Sequence, residues 1–149
     1  MTMEAYALCS QPISSILEWQ AAIDAIGFDL KLEADQIPPA VSGHLPATWQ
    51  GREAGFECSV IPFSDLAETY PETDFGGPWA CAYAFYFATF PACAGTWIAI
   101  AAGLKLSGGI AFDPQEDKLL TAEAAIRYAH DTVASIARLE AQFGRNTSL

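Results

Sequence analysis

Basic side chains are scarce in this chain: seven lysines and arginines stand against eighteen aspartates and glutamates, a formal charge of −11. A field of that sign repels phosphate backbones and anionic lipid surfaces, which argues against nucleic-acid binding. Histidine is scarcer still, with two residues, His44 and His130. Nucleophilic catalysis of the Ser–His or Cys–His type needs one of them beside a nucleophile, with a third group to orient the ring. His44 stands in a proline-rich stretch and His130 beside Asp131, and nothing local pairs Cys58 with either. Neighbouring helical residues point about 100° apart, so His130 and Asp131 are badly placed to ligate one ion. The four cysteines, Cys9, Cys58, Cys81 and Cys93, contain no C-x-x-C pair. Their spacing is not that of a zinc site and reads as reduced core thiols. Rossmann and P-loop glycine patterns are missing too. Gly76-Gly77-Pro78 and Gly108-Gly109 lack the remaining offsets and read as turns. No catalytic residue, cofactor or metal is assigned on these grounds. The first ten residues show no basic region followed by an apolar run, so the expected location is the cytoplasm.

Charge is absent altogether from Trp79 to Leu104, a stretch long enough to cross a bilayer. Its first part alternates: Trp79, Cys81, Tyr83, Phe85 and Phe87 are interleaved with Ala80, Ala82, Ala84 and Tyr86. That is the period of a strand, and Pro91 then interrupts the run. Alanine-rich segments insert poorly into membranes, so the expectation is a buried strand followed by a buried helix over Thr89 to Leu106. The alanine side of the strand is expected to let a helix approach closely.

Elsewhere the signals are local. Glu4 to Cys9 alternates as a first strand, and Ser15-Ile16-Leu17-Glu18 matches a capping box that starts a helix ending at Gly27. Phe28, Leu30 and Leu32 alternate with Asp29, Lys31 and Glu33, as in a half-buried strand. Prolines make Gln36 to Pro46 a loop. Leu45 to Ile61 reads as a hairpin turning within Gln50 to Gly55, with Glu53 and Glu57 close enough to Arg52 for a structural ion pair. Ile110 to Phe112 and Leu119-Leu120 form short partners. Thr121 caps a last helix whose Ile126, Val133, Ile136, Leu139 and Phe143 make an apolar stripe.

These elements predict one α+β domain over residues 1–149, with 144–149 a flexible tail. Its sheet is mainly antiparallel, with a β-α-β-β-α-β (ferredoxin-like) core, helices on one face and an extra C-terminal helix. The connection from Pro62 to Pro78 stays irregular, and it carries Asp65, Glu68, Glu72 and Asp74 with no basic residue. With Tyr70 and Phe75 among them, these residues suit a partner-binding face, in which aromatics anchor a contact and carboxylates steer a basic protein. The plainer alternative is a solvated loop whose aromatics tuck into the core.

Three segments carry a family likeness: Gly51-Arg52-Glu53-Ala54-Gly55-Phe56-Glu57, the aromatic strand before an alanine-rich helix, and Gly108-Gly109-Ile110-Ala111-Phe112-Asp113-Pro114. On these the chain resembles small bacterial α+β proteins, including immunity proteins that neutralise polymorphic toxins by binding them. The resemblance implies a non-enzymatic binding role for a basic protein partner and transfers no site residue. Two other readings stand beside it. One is a small-molecule binder or enzyme with a pocket between sheet and helices, lined by Arg52, Trp49, Tyr83 and Trp97. The other is a homodimer through an exposed sheet face.

Overall fold

The computed structural model describes residues 2–39, 43–144 and 149. Strand β1 (Met3–Cys9) leads through Ser15, whose hydroxyl accepts the Glu18 amide at 3.1 Å, into helix α1 (Ile16–Ala25). Then come β2 (Leu30–Leu32), β3 (Gly43–Leu45), β4 (Ala47–Trp49), β5 (Arg52–Glu53) and β6 (Phe56–Ile61). Helix α2 (Phe63–Thr69), β7 (Cys81–Phe87), α3 (Phe90–Ser107), β8 (Gly109–Asp113), β9 (Lys118–Thr121) and α4 (Ala122–Phe143) complete the chain. Six strands form one sheet in the order β3-β6-β7-β1-β8-β9, and β2-β4-β5 form a second. Every recorded pairing is antiparallel. The chain is therefore α+β with mainly antiparallel sheets and, among the described residues, four helices.

The expected hairpin is present, but its arms serve both sheets. Gly43 faces Cys58 and Leu45 faces Phe56 in the large sheet, while Thr48 faces Glu53 and Trp49 faces Arg52 in the small one. One register runs through all of these pairs, interrupted where Pro46, which has no amide to donate, stands opposite Gly55. The tip is Gln50-Gly51, with φ of 52° and 76°, the two left-handed residues of a type I′ turn. β3 lies inside the stretch read as loop. Residues 40–42 of that loop fall outside the described residues.

Alternation sends β1 and β7 to two cores. Ala5, Ala7, Cys9, Tyr83, Phe85 and Phe87 join Ala111 beneath α1, α3 and α4. Tyr6, Leu8, Ala82, Ala84 and Phe112 turn to the opposite face, where they meet Leu66 and Phe75. Removing each large side chain from water contributes roughly 1.5–3 kcal/mol. This arrangement corrects two expectations. Helices cover both faces, because the segment read as irregular contains α2. The alanines that let α3 come close are those of β1 and β8, while Ala82 and Ala84 lie beneath α2 and its loop.

Helix α3 is apolar on every side, as a helix surrounded by protein must be. By length and composition it could cross a membrane, and 83% of it is buried inside the fold. Thr89 caps it by accepting the Ala92 amide at 3.2 Å, and the Trp19 indole donates to the Ala99 carbonyl at 2.9 Å, tying α1 to it. The expected cap of α4 is present as well: Thr121 accepts the Ala124 amide at 3.2 Å. The apolar stripe of α4 is shorter than expected, since Ala125, Ala129 and Ile136 are buried whereas Leu139 and Phe143 are exposed. The expected tail lies mostly in residues 145–148, outside the described residues, and Leu149 donates its amide to the Ala88 carbonyl at 3.2 Å.

Thr96 on α3 is fully buried, and its hydroxyl finds no hydrogen-bond partner among the described residues. An unsatisfied buried hydroxyl costs about 1–3 kcal/mol. Thr96→Val keeps the branched shape and removes that cost, so urea unfolding is expected to show a gain of about 1 kcal/mol. A loss of stability in the valine variant would show that the hydroxyl is satisfied after all.

Candidate functional site

The acidic connection is more ordered than its sequence suggests. α2 starts after Pro62, whose extended backbone (φ −63°, ψ 135°) leads straight into the helix, and buries Leu66. One turn later Tyr70 ends the helix, with its amide bonded to the Leu66 carbonyl at 3.0 Å. Tyr70 and Phe75 both pack edge-on against Phe112 of β8, at 4.9 and 5.1 Å between ring centroids. Phe75 is 5% exposed and belongs to the second core, so its ring is not an anchor open to a partner. The aromatics turn inward and the carboxylates outward: Asp65, Glu68, Glu72 and Asp74 are all exposed. Asp74 also accepts the Gly76 amide at 3.0 Å, which fixes the bend after it.

Tyr70 is held by its hydroxyl as well as its ring. It donates to Glu4 Oε1 at 2.6 Å, and Tyr6 donates to Glu4 Oε2 at 3.0 Å. Burial, reinforced by Glu4, pushes the Tyr70 hydroxyl up to about 12 and raises Tyr6 further in the same direction. Both phenols are therefore neutral donors at physiological pH. Beside this cluster lies an open groove of about 570 Å³, formed where Thr69 to Thr73 approach the β8–β9 turn. Glu72 lines one side, Asp117 and Leu119 the other, and Leu119 is 42% exposed. Asp117 and Leu119 were not legible as site residues, because no local pattern says which segment a turn will face.

A second cleft of about 680 Å³ opens at the end of the large sheet, where β6, β7 and the start of α3 converge. Register aligns His44, Glu57, Tyr86 and Glu4 in one row across four strands, and the first three line this cleft. Arg52 lines it too, but its partner is not the expected Glu53 or Glu57. Its guanidinium donates to both carboxylate oxygens of Glu140 on α4, at 2.9 and 2.6 Å, and lies 5.9 Å over the Trp49 ring. The Glu140 bond raises the Arg52 pKa still further.

The other side chains of the pocket reading are packed. Trp49, Tyr83 and Trp97 are at most 3% exposed and line neither of these clefts. Tyr83 accepts the Ile13 amide at 2.9 Å, and Trp97 packs edge-on against Tyr128 at 4.7 Å. His44 faces Glu57 across β3–β6, on the opposite side of the sheet from the buried Cys58. The His130 ring stacks on Phe28 at 4.3 Å. The buried Asp113 accepts from the Tyr128 hydroxyl at 2.5 Å and the Gln115 amide at 3.1 Å, which occupies it structurally. Among the described residues no three histidine, cysteine or carboxylate side chains are grouped to hold a metal ion.

The fold and surface define an acidic α+β protein whose outer sheet face carries an aromatic-backed, carboxylate-rimmed groove. Comparison with protein-family models, with curated proteins and with solved structures returns no match.

Proposed function

We propose that this protein is a non-enzymatic binding module for a basic protein partner; the form implied by its resemblance is an immunity protein that neutralises a basic toxin. The observation that carries the reading is the groove between α2's loop and the β8–β9 turn. Glu72, Asp117 and Leu119 all line it, and Asp65, Glu68 and Asp74 are exposed on the same acidic segment. No basic residue occurs from Pro62 to Pro78, and Lys118 stands beside Asp117 in the facing segment. An arginine or lysine of the partner would lay its apolar stem on Leu119 and its charge between the two carboxylates. The inward aromatics hold this acidic rim rigid, which lowers the ordering cost of binding.

We also read β6-β7-β1-β8 as a ferredoxin-like core. This reading is supported by the antiparallel order, by α1 following β1 and α3 following β7, and by the shared core beneath those two helices. The four free cysteines suit a reducing compartment, in keeping with a cytoplasmic site of action.

Affinity capture from the source cells tests the binding reading. The expected result is a basic protein that is released by salt. A variant carrying Asp65→Asn, Glu68→Gln, Glu72→Gln and Asp74→Asn should associate with the purified partner at least about tenfold more slowly. Capture of acidic proteins only, or an association rate unchanged in the variant, removes the proposal.

A further inference from the structure

Of the four cysteines, only Cys9 and Cys81 are register partners, directly opposed on β1 and β7. Directly opposed residues of antiparallel strands lie about 4.5–5.5 Å apart at Cα, inside the roughly 4.4–6.8 Å that a disulfide spans. Both side chains point to the same face: Cys9 belongs to the core beneath the helices, and Cys81 packs against that core. Cys58 faces Phe85 instead, and Cys93 is on α3. The two opposed thiols differ in access, since Cys9 is fully buried and Cys81 is partly exposed.

We propose that Cys9 and Cys81 form an oxidisable dithiol, which hydrogen peroxide closes to a disulfide joining β1 to β7. The partly exposed Cys81 Sγ meets the peroxide first. As a thiolate it attacks one peroxide oxygen; the S–O bond forms, the O–O bond breaks, and the departing hydroxide takes up a proton to leave as water. Cys81 is then a sulfenic acid, oxidised by two electrons, and the peroxide is reduced. Cys9 Sγ attacks that sulfur, the S–S bond forms, the S–O bond breaks, and a second water leaves carrying the Cys9 proton. Two thiols and one peroxide give one disulfide and two waters. Burial holds the Cys9 thiol up at about 12, which keeps it from meeting the peroxide first and slows its attack on the opposed Cys81 sulfur, a step carried by the register of the two strands. The closed bond would fix the exit of the α2 loop to the first strand. It is independent of the binding proposal.

The experiment treats the reduced full chain with hydrogen peroxide, alkylates remaining thiols in denaturant and maps the cross-link by mass spectrometry. The expected result is a monomer that retains two alkylatable thiols of the original four, with Cys9 linked to Cys81. Cys93→Ser should form the same link, Cys81→Ser should form none, and dimedone added with the peroxide should label Cys81 and not Cys9. Mapping in the unsubstituted protein keeps the test valid if the Cys81 variant fails to fold. A disulfide through Cys58 or Cys93, a link between two chains, an over-oxidised Cys81 with Cys9 still free, or four unreacted thiols would each overturn it.

Discussion

Gly109→Ala is expected to leave no folded protein. A Cβ at this position would stand 1.9 Å from the Leu8 carbonyl oxygen and 2.9 Å from its carbon, and φ is +132°, where side chains are rarely tolerated. The obstacle is backbone, so no rotamer change relieves it. β8 would have to leave β1, giving up the pairing of Tyr6 to Cys9 with Phe112 to Gly109 and uncovering the junction of both cores. We expect a loss above about 4 kcal/mol, the scale of a small domain's whole stability. Gly51→Ala separates the clash from the dihedral strain: its φ is +76°, but nothing lies within 4 Å of the added carbon. That variant should lose only about 1 kcal/mol in urea. Circular dichroism and urea titration of the pair decide the matter. A Gly109 variant as stable as the Gly51 variant would mean that β8 is not seated against β1 as described.

The same glycine illustrates what could be read from sequence. Gly108-Gly109 was legible as the stop after a buried helix, because a left-handed residue at a helix end is a local requirement. The need for bare backbone against Leu8 was not, since it depends on a strand about a hundred residues earlier. The caps at Ser15 and Thr121, the alternation of Glu4 to Cys9 and the hairpin turning within Gln50 to Gly55 are likewise local, and all appear; the strand expected over Trp79 to Phe87 appears from Cys81 onward. Helix α2 escaped because it is seven residues long and has no side-chain cap, so it exists through the packing of Leu66. Leu66 and Tyr70, four residues apart, mark its inward side in retrospect, a spacing that the surrounding carboxylates obscured. Division of the hairpin between two sheets at Pro46 and Gly55 is a tertiary outcome with no periodic signature. On the candidate site, the outward carboxylates were legible from charge alone, whereas Asp117, Leu119 and the Glu4 anchor came only from the apposition of distant segments.

Glu140→Ala should cost about 1.5–3 kcal/mol, because it removes two charge-assisted bonds from a part-buried guanidinium. Arg52 and Glu140 side chains are 17% and 9% exposed, and the pair is bidentate, so water screens it far less than a surface ion pair. It connects the tip of the hairpin to the last turns of α4 across 88 residues of sequence. With the carboxylate gone, the guanidinium keeps its place over Trp49 but loses both charge-assisted bonds to α4. The shared bonds can be lost only once, so Arg52→Met with Glu140→Ala should cost clearly less than the losses of Arg52→Met and Glu140→Ala added together. Urea unfolding of the four proteins measures that coupling. A coupling below about 0.5 kcal/mol would reduce the pair to an ordinary surface contact. A strong coupling would mean that the Arg52–Glu140 pair helps hold the small sheet to α4, and with it the Arg52 wall of the cleft that His44 and Glu57 share.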